Sequence, residues 1–303
     1  MPRIPENHSA LSSACQGQGQ LYALMDGAIV PDLEAKILAH RPVLDHMPLL
    51  LGDAMASFAP ISPRLIRLTL DDELLWWLLE EGKAASWGIY LCSNADMSAL
   101  YHHLYSLTAV KLDGESVQFR YYDPRVLRPF WQVLNLEEQN QLMGPIECMI
   151  VEGEQQPGFW AYQRPEELDR PPYPPTPKDW ISLPEPWWTI TELQHRALTE
   201  SVLQQFLQRF TRYLEKKRDE LRPDLTIDFH AEAYQKDLTK KAQYFMQHGF
   251  ESELHMAEAL ECAQVFSLDL RNERVRKLVE NKTMGMIDKL YTLRRMATRR
   301  SID

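Results

Sequence analysis

The sequence predicts an α+β protein: an N-terminal mixed β-sheet lobe with packed helices, a proline-rich crossing, and an all-helical C-terminal lobe. Three observations lead to this prediction. Short β-rich and helical segments alternate up to residue 164. Eight of the twenty prolines then fall between residues 165 and 186, where they exclude a helix interior or a central strand. Beyond residue 190 the apolar spacing is helical. The predicted parts are a mobile N-terminus (1–18), an α/β lobe (19–164), a proline-rich linker (165–190) and a helical lobe (191–303).

The α/β lobe begins after the polar N-terminus, with a strand predicted at residues 21–25. A helix at 31–40 should turn Leu33, Ile37 and Leu38 inward. Strands are predicted at 47–51 and 63–68, and three acids at 71–73 favour a helix start because they complement the helix dipole. That helix is apolar nearly all round and contains Trp76 and Trp77, so we expect it to be buried between layers or against a partner.

Residues 86–131 carry the densest pattern in the chain. The apolar run at 87–92 is long enough for one buried strand. Asp113-Gly114 is typical of a two-residue hairpin, because both central residues need positive φ. Asp123-Pro124 favours a helix start, since Asp caps well and Pro suits the first helical position. A helix at 136–143 and strands at 146–151 and 159–162 complete the predicted lobe.

The same stretch carries a family resemblance. The run from Trp87-Gly88-Ile89 to Ser93, the run at 119–127 and Gly144-Pro145-Ile146 resemble, in order and spacing, the signature of the bacterial type VI secretion effector adaptors (effector chaperones). That family was first catalogued as a domain of unknown function, and residues 21–28 are similar to its opening strand. The resemblance covers roughly residues 20–152. Its signature positions, which we interpret as structural, are Asp26, Trp87, Gly88, Tyr122, Asp123, Pro124, Arg125, Gly144 and Pro145.

The resemblance implies a protein that is not an enzyme; the missing cofactor motifs and secretion signal predict that it uses no cofactor and is cytoplasmic. The resemblance also implies that the chain holds a toxic effector, by the effector's N-terminal segment, and delivers it to the VgrG spike protein. Aromatic anchors are the usual hot spots of such interfaces, and the chain is rich in tryptophan. The residues that we predict to bind partners are Trp76, Trp77, Trp187, Trp188, Arg294 and Arg295.

The helical lobe opens with a capping-box pattern, Thr191 with Gln194, and continues with helices predicted at 191–221, 231–248, 251–266 and 272–300. Residues 271–303 hold ten Lys/Arg against four acids, with arginines clustered at the end. This basic segment is either a solvated helix face or a docking surface for an acidic partner or for the chain's own acidic lobe. A nucleic-acid-binding regulator is the third alternative, although no aromatic-rich basic stripe accompanies the arginines.

Charge and cysteine usage narrow the class of protein. The net charge of −10 argues against non-specific binding of nucleic acid by the whole chain. The first 190 residues carry 13 Lys/Arg against 25 Asp/Glu, or −12, and the rest carry +2. No basic segment followed by an apolar one opens the chain, and no apolar run is long enough to cross a membrane. The cysteines lack disulfide-type spacing, which favours a reducing compartment such as the cytoplasm. They are Cys15, Cys92, Cys148 and Cys262.

No motif of a known catalytic or metal site is complete, so we predict no catalytic, cofactor-binding or metal-binding residue. His230-Ala231-Glu232 has the form found in zinc deaminases, but the cysteine motif that supplies the other ligands is missing. Glu192 and His195 form a single E-x-x-H pair, where a di-metal bundle needs two. Two further pairs could share a helix face, namely His248 with Glu251 and His255 with Glu258.

Asp26, Asp123 and Arg125 form the one polar set that leaves two interpretations open. In the first, Asp123 caps a helix and Arg125 pairs with a carboxylate such as Asp26. In the second, the three residues line the polar pocket of an enzyme.

Overall fold

The computed structural model describes residues 6–40, 46–50, 61–153, 158–170, 185–221, 228–266 and 268–299. The chain divides into two compact units, residues 1–201 and 202–303. The α+β class is confirmed, with a sheet and helices in unit 1 and helices in unit 2. Within the predicted proline-rich linker, residues 171–184 lie outside the described residues.

A six-stranded sheet forms the centre of unit 1. Its strands are β1 (Gln20–Met25), β2 (His46–Pro48), β3 (Arg64–Leu68), β4 (Gly88–Ser93), β7 (Ile146–Glu152) and β8 (Phe159–Gln163). Their order is β2-β3-β1-β4-β7-β8, and each of the five pairings is antiparallel, so the sheet is more regular than the mixed one predicted. β4 lies between β1 and β7 with every residue buried. Because a strand covered on both faces buries every side chain, its residues form a continuous apolar run in the sequence.

Two layers of helices cover this sheet. Side chains along each strand alternate between the two faces, and both faces carry apolar side chains that these helices bury. The elements are α1 (Glu6–Cys15), α2 (Leu33–His40), α3 (Glu73–Glu81), α4 (Met97–Ser106), β5 (Ala109–Leu112), β6 (Glu115–Gln118), α5 (Pro124–Gln132) and α6 (Leu136–Met143). On one face, Tyr22 and Leu24 pack with α4, α5, α6 and a separate hairpin, β5–β6. On the other, Ala23 and Met25 pack with α1, α2 and α3.

The N-terminus is the clearest departure from prediction in unit 1. Residues 1–18 were expected to be mobile, but they contain helix α1. Leu11 and Cys15, one turn apart, are both buried against the sheet layer. Burial of these two side chains outweighs the polar composition that suggested mobility. In α2, Leu33 and Ile37 are buried as predicted, whereas Leu38 is half exposed.

A disulfide joins Cys15 of α1 to Cys92 of β4. This corrects the expectation of no disulfide, which rested on sequence spacing, and it removes the support that the cysteines gave to a reducing compartment. The two residues are 77 positions apart, and α1 brings them together by packing on the sheet. Cys148, opposite Cys92 on β7, and Cys262 are free and buried. Desolvation raises the pKa of both free thiols to about 11.

Unit 2 is a set of helices around one apolar cluster. Its first element, α7, begins in unit 1, and the predicted capping box is present there: Thr191 Oγ1 accepts from the Gln194 amide, and Gln194 Oε1 accepts from the Thr191 amide. The single helix predicted at 272–300 is two helices, because Asn281 accepts from both the amide and the hydroxyl of Thr283 in a turn. The helices are α7 (Glu192–Leu221), α8 (Glu232–Gln247), α9 (Glu253–Gln264), α10 (Glu273–Val279) and α11 (Met286–Arg299). Among the described residues, no helix is long and apolar enough to cross a membrane.

Candidate functional site

Three of the signature residues, Asp26, Asp123 and Arg125, meet in a charged cluster where β1 ends and α5 begins. Asp26 directly follows β1, and Asp123 is the N-cap of α5, as the Asp-Pro dipeptide predicted. Both carboxylates are buried, at 2% and 4% exposure. Asp26 Oδ1 accepts from the Ala28 amide at 2.9 Å, and Asp123 Oδ1 accepts from the Arg125 amide at 2.9 Å. Each carboxylate therefore closes a local backbone turn.

Two arginines neutralise these two carboxylates. Arg125 binds Asp123 through Nε at 2.9 Å and a terminal nitrogen at 2.7 Å, a bidentate arrangement. Arg120 forms the ion pair with Asp26, and one of its terminal nitrogens lies 3.6 Å from Asp123. The partner of Asp26 is thus Arg120, not Arg125 as the sequence suggested. Both arginine side chains are about two-fifths exposed.

Arg120 is the residue that sequence reasoning missed. Its position in the run at 119–127 was the available signal, but no local pattern states which carboxylate an arginine will reach. The reach from Arg120 to Asp26 spans 94 positions and depends on the sheet placing the end of β1 beside the β6–α5 connection.

Burial and charge set the proton affinities of the cluster. Desolvation, with the negative charge of Asp26, raises the pKa of Tyr122 to about 12. The hydrogen bond to Asp123 raises the pKa of Arg125 above its usual value. Near neutral pH the cluster therefore holds a neutral phenol and a charged guanidinium. Its geometry ties the end of β1 to the start of α5.

Gly88, Gly144 and Pro145 of the signature lie where parts of the chain pack closely. Gly88 runs against the backbone of Leu24, where an added Cβ would overlap the carbonyl oxygen. Gly144, after α6, has φ +53°, and an added Cβ would overlap the ring of His103. The Pro145 carbonyl accepts from Ser93 Oγ at 2.7 Å, which links β4 to the start of β7.

The tryptophans of α3 are partly buried within unit 1. Trp77 packs on Trp87 with ring centroids 5.2 Å apart, and the Lys36 ammonium lies 5.2 Å from the Trp77 ring. Trp76 meets the ring of His8 of α1 edge-on. These contacts leave only part of each ring open.

Trp188 belongs to the core of unit 1, whereas Trp187 is only partly covered. Trp188 is buried against Phe130 and donates from Nε1 to Gln194 Oε1 at 3.4 Å. Trp187 is 37% exposed, yet its Nε1 donates to Ser106 Oγ at 3.1 Å. Trp160 on the edge strand β8 is more open, at 52%.

Arg294 and Arg295 lie on the outer side of α11, both exposed. Ile287 and Tyr291 share that side of the helix and are exposed at 78% and 64%.

The candidate metal ligands do not come together. Within the described ranges, no group of three or more His, Cys, Asp and Glu side chains is placed to hold a metal ion. His230 pairs with Glu215 at 2.8 Å, and His248 Nδ1 lies 2.7 Å from the carbonyl oxygen of Tyr244.

The fold and the cluster define an α+β domain in which Asp26 and Asp123 sit in a buried, charge-paired junction. Residues 21–141 match the model of a family described as "Domain of unknown function (DUF4123)", and this match covers less than half of the chain. It contains Asp26, Arg120, Asp123 and Arg125 and ends before Gly144. Neither the curated proteins nor the solved structures contain a match to this chain.

Proposed function

We propose that this chain is a non-enzymatic adaptor that binds a cognate type VI secretion effector in the cytoplasm and helps to load it onto the VgrG spike. One observation carries the proposal: the resemblance to the effector adaptors lies over residues 20–152, and the family model matches nearly the same part, residues 21–141. The function that this resemblance implies is thus assigned to the α+β domain that contains residues 21–141.

The charged cluster supports an adaptor more than an enzyme. Each carboxylate is engaged by a guanidinium and by a backbone amide, so neither presents an uncommitted oxygen to a substrate. A general base must instead reach the proton that it removes. The burial of both carboxylates fits a junction that holds the domain together.

We further propose that the matched domain is the scaffold common to such adaptors, and that unit 2 gives specificity for one effector. Unit 2 lies outside the matched residues. Unit 2 is also the less acidic part of the chain, since residues 202–303 carry 19 Lys/Arg against 16 Asp/Glu, or +3, and residues 1–201 carry 14 against 27, or −13.

Co-purification tests the proposal directly. The full chain is expressed with the product of the neighbouring gene, with the matching VgrG protein, and with both. We expect a stable complex that raises the soluble yield of the neighbouring product and is lost when that product's N-terminal segment is removed.

An unrelated effector of similar size serves as the matched control and should not bind. If the chain binds neither the neighbouring product nor VgrG, the adaptor function is wrong. A substrate screen of the Asp26 and Asp123 region would then be the next step.

A further inference from the structure

The outer side of α11 combines apolar and cationic side chains in one stripe. Ile287, Tyr291, Arg294 and Arg295 recur at helical spacing of four, three and one residues, which places them on one side of the helix. We call these four residues the α11 face. Ile287 and Tyr291 are exposed at 78% and 64%, and both arginines are exposed. Single exposed apolar residues are ordinary, but two large ones a turn apart beside two guanidiniums form a patch.

The opposite side of α11 is firmly packed, so the α11 face is held in a fixed position. Leu290, Leu293 and Ala297 are buried in the apolar cluster of unit 2. Lys289 is also buried, and its Nζ donates to the Val279 carbonyl at 2.8 Å, which ties α11 to the end of α10. A surface on a packed helix loses little conformational entropy when a partner binds it.

Three neighbouring cations have carboxylate partners, whereas Arg274 and Lys282 form no ion pair among the described residues. Arg271 pairs with Asp269, Arg276 with Glu280 and Lys277 with Glu273, at distances of 3.1, 3.3 and 2.7 Å. These pairs use three of the four acids between residues 268 and 299, and Asp288 is the fourth.

The arginines of the α11 face differ from these paired cations. Within the part of the chain that the structure describes, neither Arg294 nor Arg295 has a carboxylate within ion-pair distance. Arg295 lies 5.7 Å from the Tyr291 ring, which holds the guanidinium beside the apolar pair. Burial raises the pKa of the Cys262 thiol on α9, while the charge of Arg294 lowers it and the charges of Glu261 and Glu258 raise it. The α11 face therefore presents positive charge next to apolar surface.

We propose that the α11 face binds an acidic amphipathic segment of the effector. Apolar side chains of that segment cover Ile287 and Tyr291, and its carboxylates pair with Arg294 and Arg295. The apolar pair at the amino-terminal end favours a peptide over a polyphosphate, which would gain nothing from Ile287. This inference rests on the proposed adaptor function and names the surface and the chemistry of its partner.

Two double variants and two matched controls test the surface in the full chain. Ile287→Ser with Tyr291→Ser removes the apolar part, and Arg294→Gln with Arg295→Gln removes the charge. Leu254→Ser controls for loss of an exposed apolar side chain, since Leu254 is 67% exposed on α9. Arg271→Gln with Lys277→Gln controls for the loss of two positive charges at paired positions. Circular dichroism and thermal unfolding establish that each variant is folded.

Affinity for the product of the neighbouring gene is then measured at several salt concentrations. We expect each α11 double variant to weaken binding tenfold or more, and the controls to change it less than threefold. The salt dependence of binding should be reduced in the arginine variant and kept in the serine variant.

The failures of the two proposals are distinguishable. If the unaltered chain binds neither the neighbouring product nor VgrG, both proposals fall. If it binds and both α11 double variants bind equally well, the assignment of effector binding to the α11 face is wrong while the adaptor function stands.

A concentration-dependent dimer that the serine variant abolishes, with effector binding unchanged, would assign the α11 face to a second copy of the chain and overturn the inference. Heparin retention that the arginine variant abolishes, again with effector binding unchanged, would assign it to a polyanion and also overturn it.

Discussion

Gly144 illustrates how a single residue can be required by its surroundings. Its φ of +53° with ψ of −114° disfavours any residue with a Cβ, and the His103 ring fills the space that a Cβ would need. Gly114, in the β5–β6 turn, also has positive φ, at +86°, but nothing lies within 4 Å of its missing Cβ. A side chain at Gly144 would therefore meet both backbone strain and steric overlap, whereas one at Gly114 would meet backbone strain alone.

We predict that Gly144→Ala lowers the free energy of unfolding by about 2–5 kcal/mol, because backbone strain and overpacking add. Gly114→Ala, the matched control, should lose about 1 kcal/mol from strain alone. Urea unfolding of both variants provides the comparison, and equal losses would contradict a steric role for His103.

His103 gives the stability a pH dependence that can be assigned to one residue. It is 1% exposed, and its Nε2 lies 2.8 Å from the Leu142 carbonyl oxygen, so Nε2–H donates. Its Nδ1 has no hydrogen-bond partner among the described residues. Desolvation lowers its pKa from 6.5 to about 4, and the hydrogen bond to Leu142 opposes this only in part.

Because the unfolded chain binds this proton and the folded chain does not, stability should fall as the pH drops from about 6.5 to 4 and level off below. Between pH 7 and pH 4.5 the contribution is about 2–3 kcal/mol. We expect His103→Gln to be less stable than the unaltered chain at pH 7 but to lose that much less on acidification. Urea unfolding at both pH values measures this, and parallel losses would exclude His103 as the source.

At the scale of elements, α1 is held to the sheet by burial and by a covalent bond. Leu11 packs against the sheet layer, and the Cys15–Cys92 disulfide closes a loop with a sequence separation of 77. Closing a loop of this length reduces the entropy of the unfolded chain by an amount worth about 4 kcal/mol.

We therefore predict that dithiothreitol lowers the thermal unfolding midpoint of the chain and that Cys15→Ser removes this effect. Cys262→Ser, which replaces a free thiol, should keep it. A thiol count on the denatured protein should give two free thiols without reductant and four with it. Four thiols without reductant would contradict the disulfide.

At the scale of the whole molecule, charge separates an adaptor from a nucleic-acid-binding regulator. The net charge of −10 repels polyanions, while the exposed Arg294 and Arg295 attract them locally. We predict that the intact chain passes through heparin at about 0.15 M salt, where the Debye length is about 8 Å. Salt-dependent retention that deletion of residues 271–303 abolishes would contradict this and favour the regulator.

Local patterns predicted most elements of the chain because their causes are local. Asp113-Gly114 forms the β5–β6 turn with positive φ at both residues, Asp123 caps α5, and Thr191 with Gln194 forms the capping box of α7. The α+β class followed from the order of these elements. The errors occurred where burial or a turn overrode composition, as in α1 and in the break between α10 and α11.

The sequence alone thus determined the secondary structure of most segments and the residues of the signature, since capping, turn formation and apolar periodicity act between neighbours. Tertiary structure decided the pairing of Asp26 with Arg120, the Cys15–Cys92 bond and the exposure of Ile287 and Tyr291. Each depends on which surfaces meet across long separations or stay open to solvent. Such contacts are determined by the packing of the sheet and helices, which no local spacing encodes.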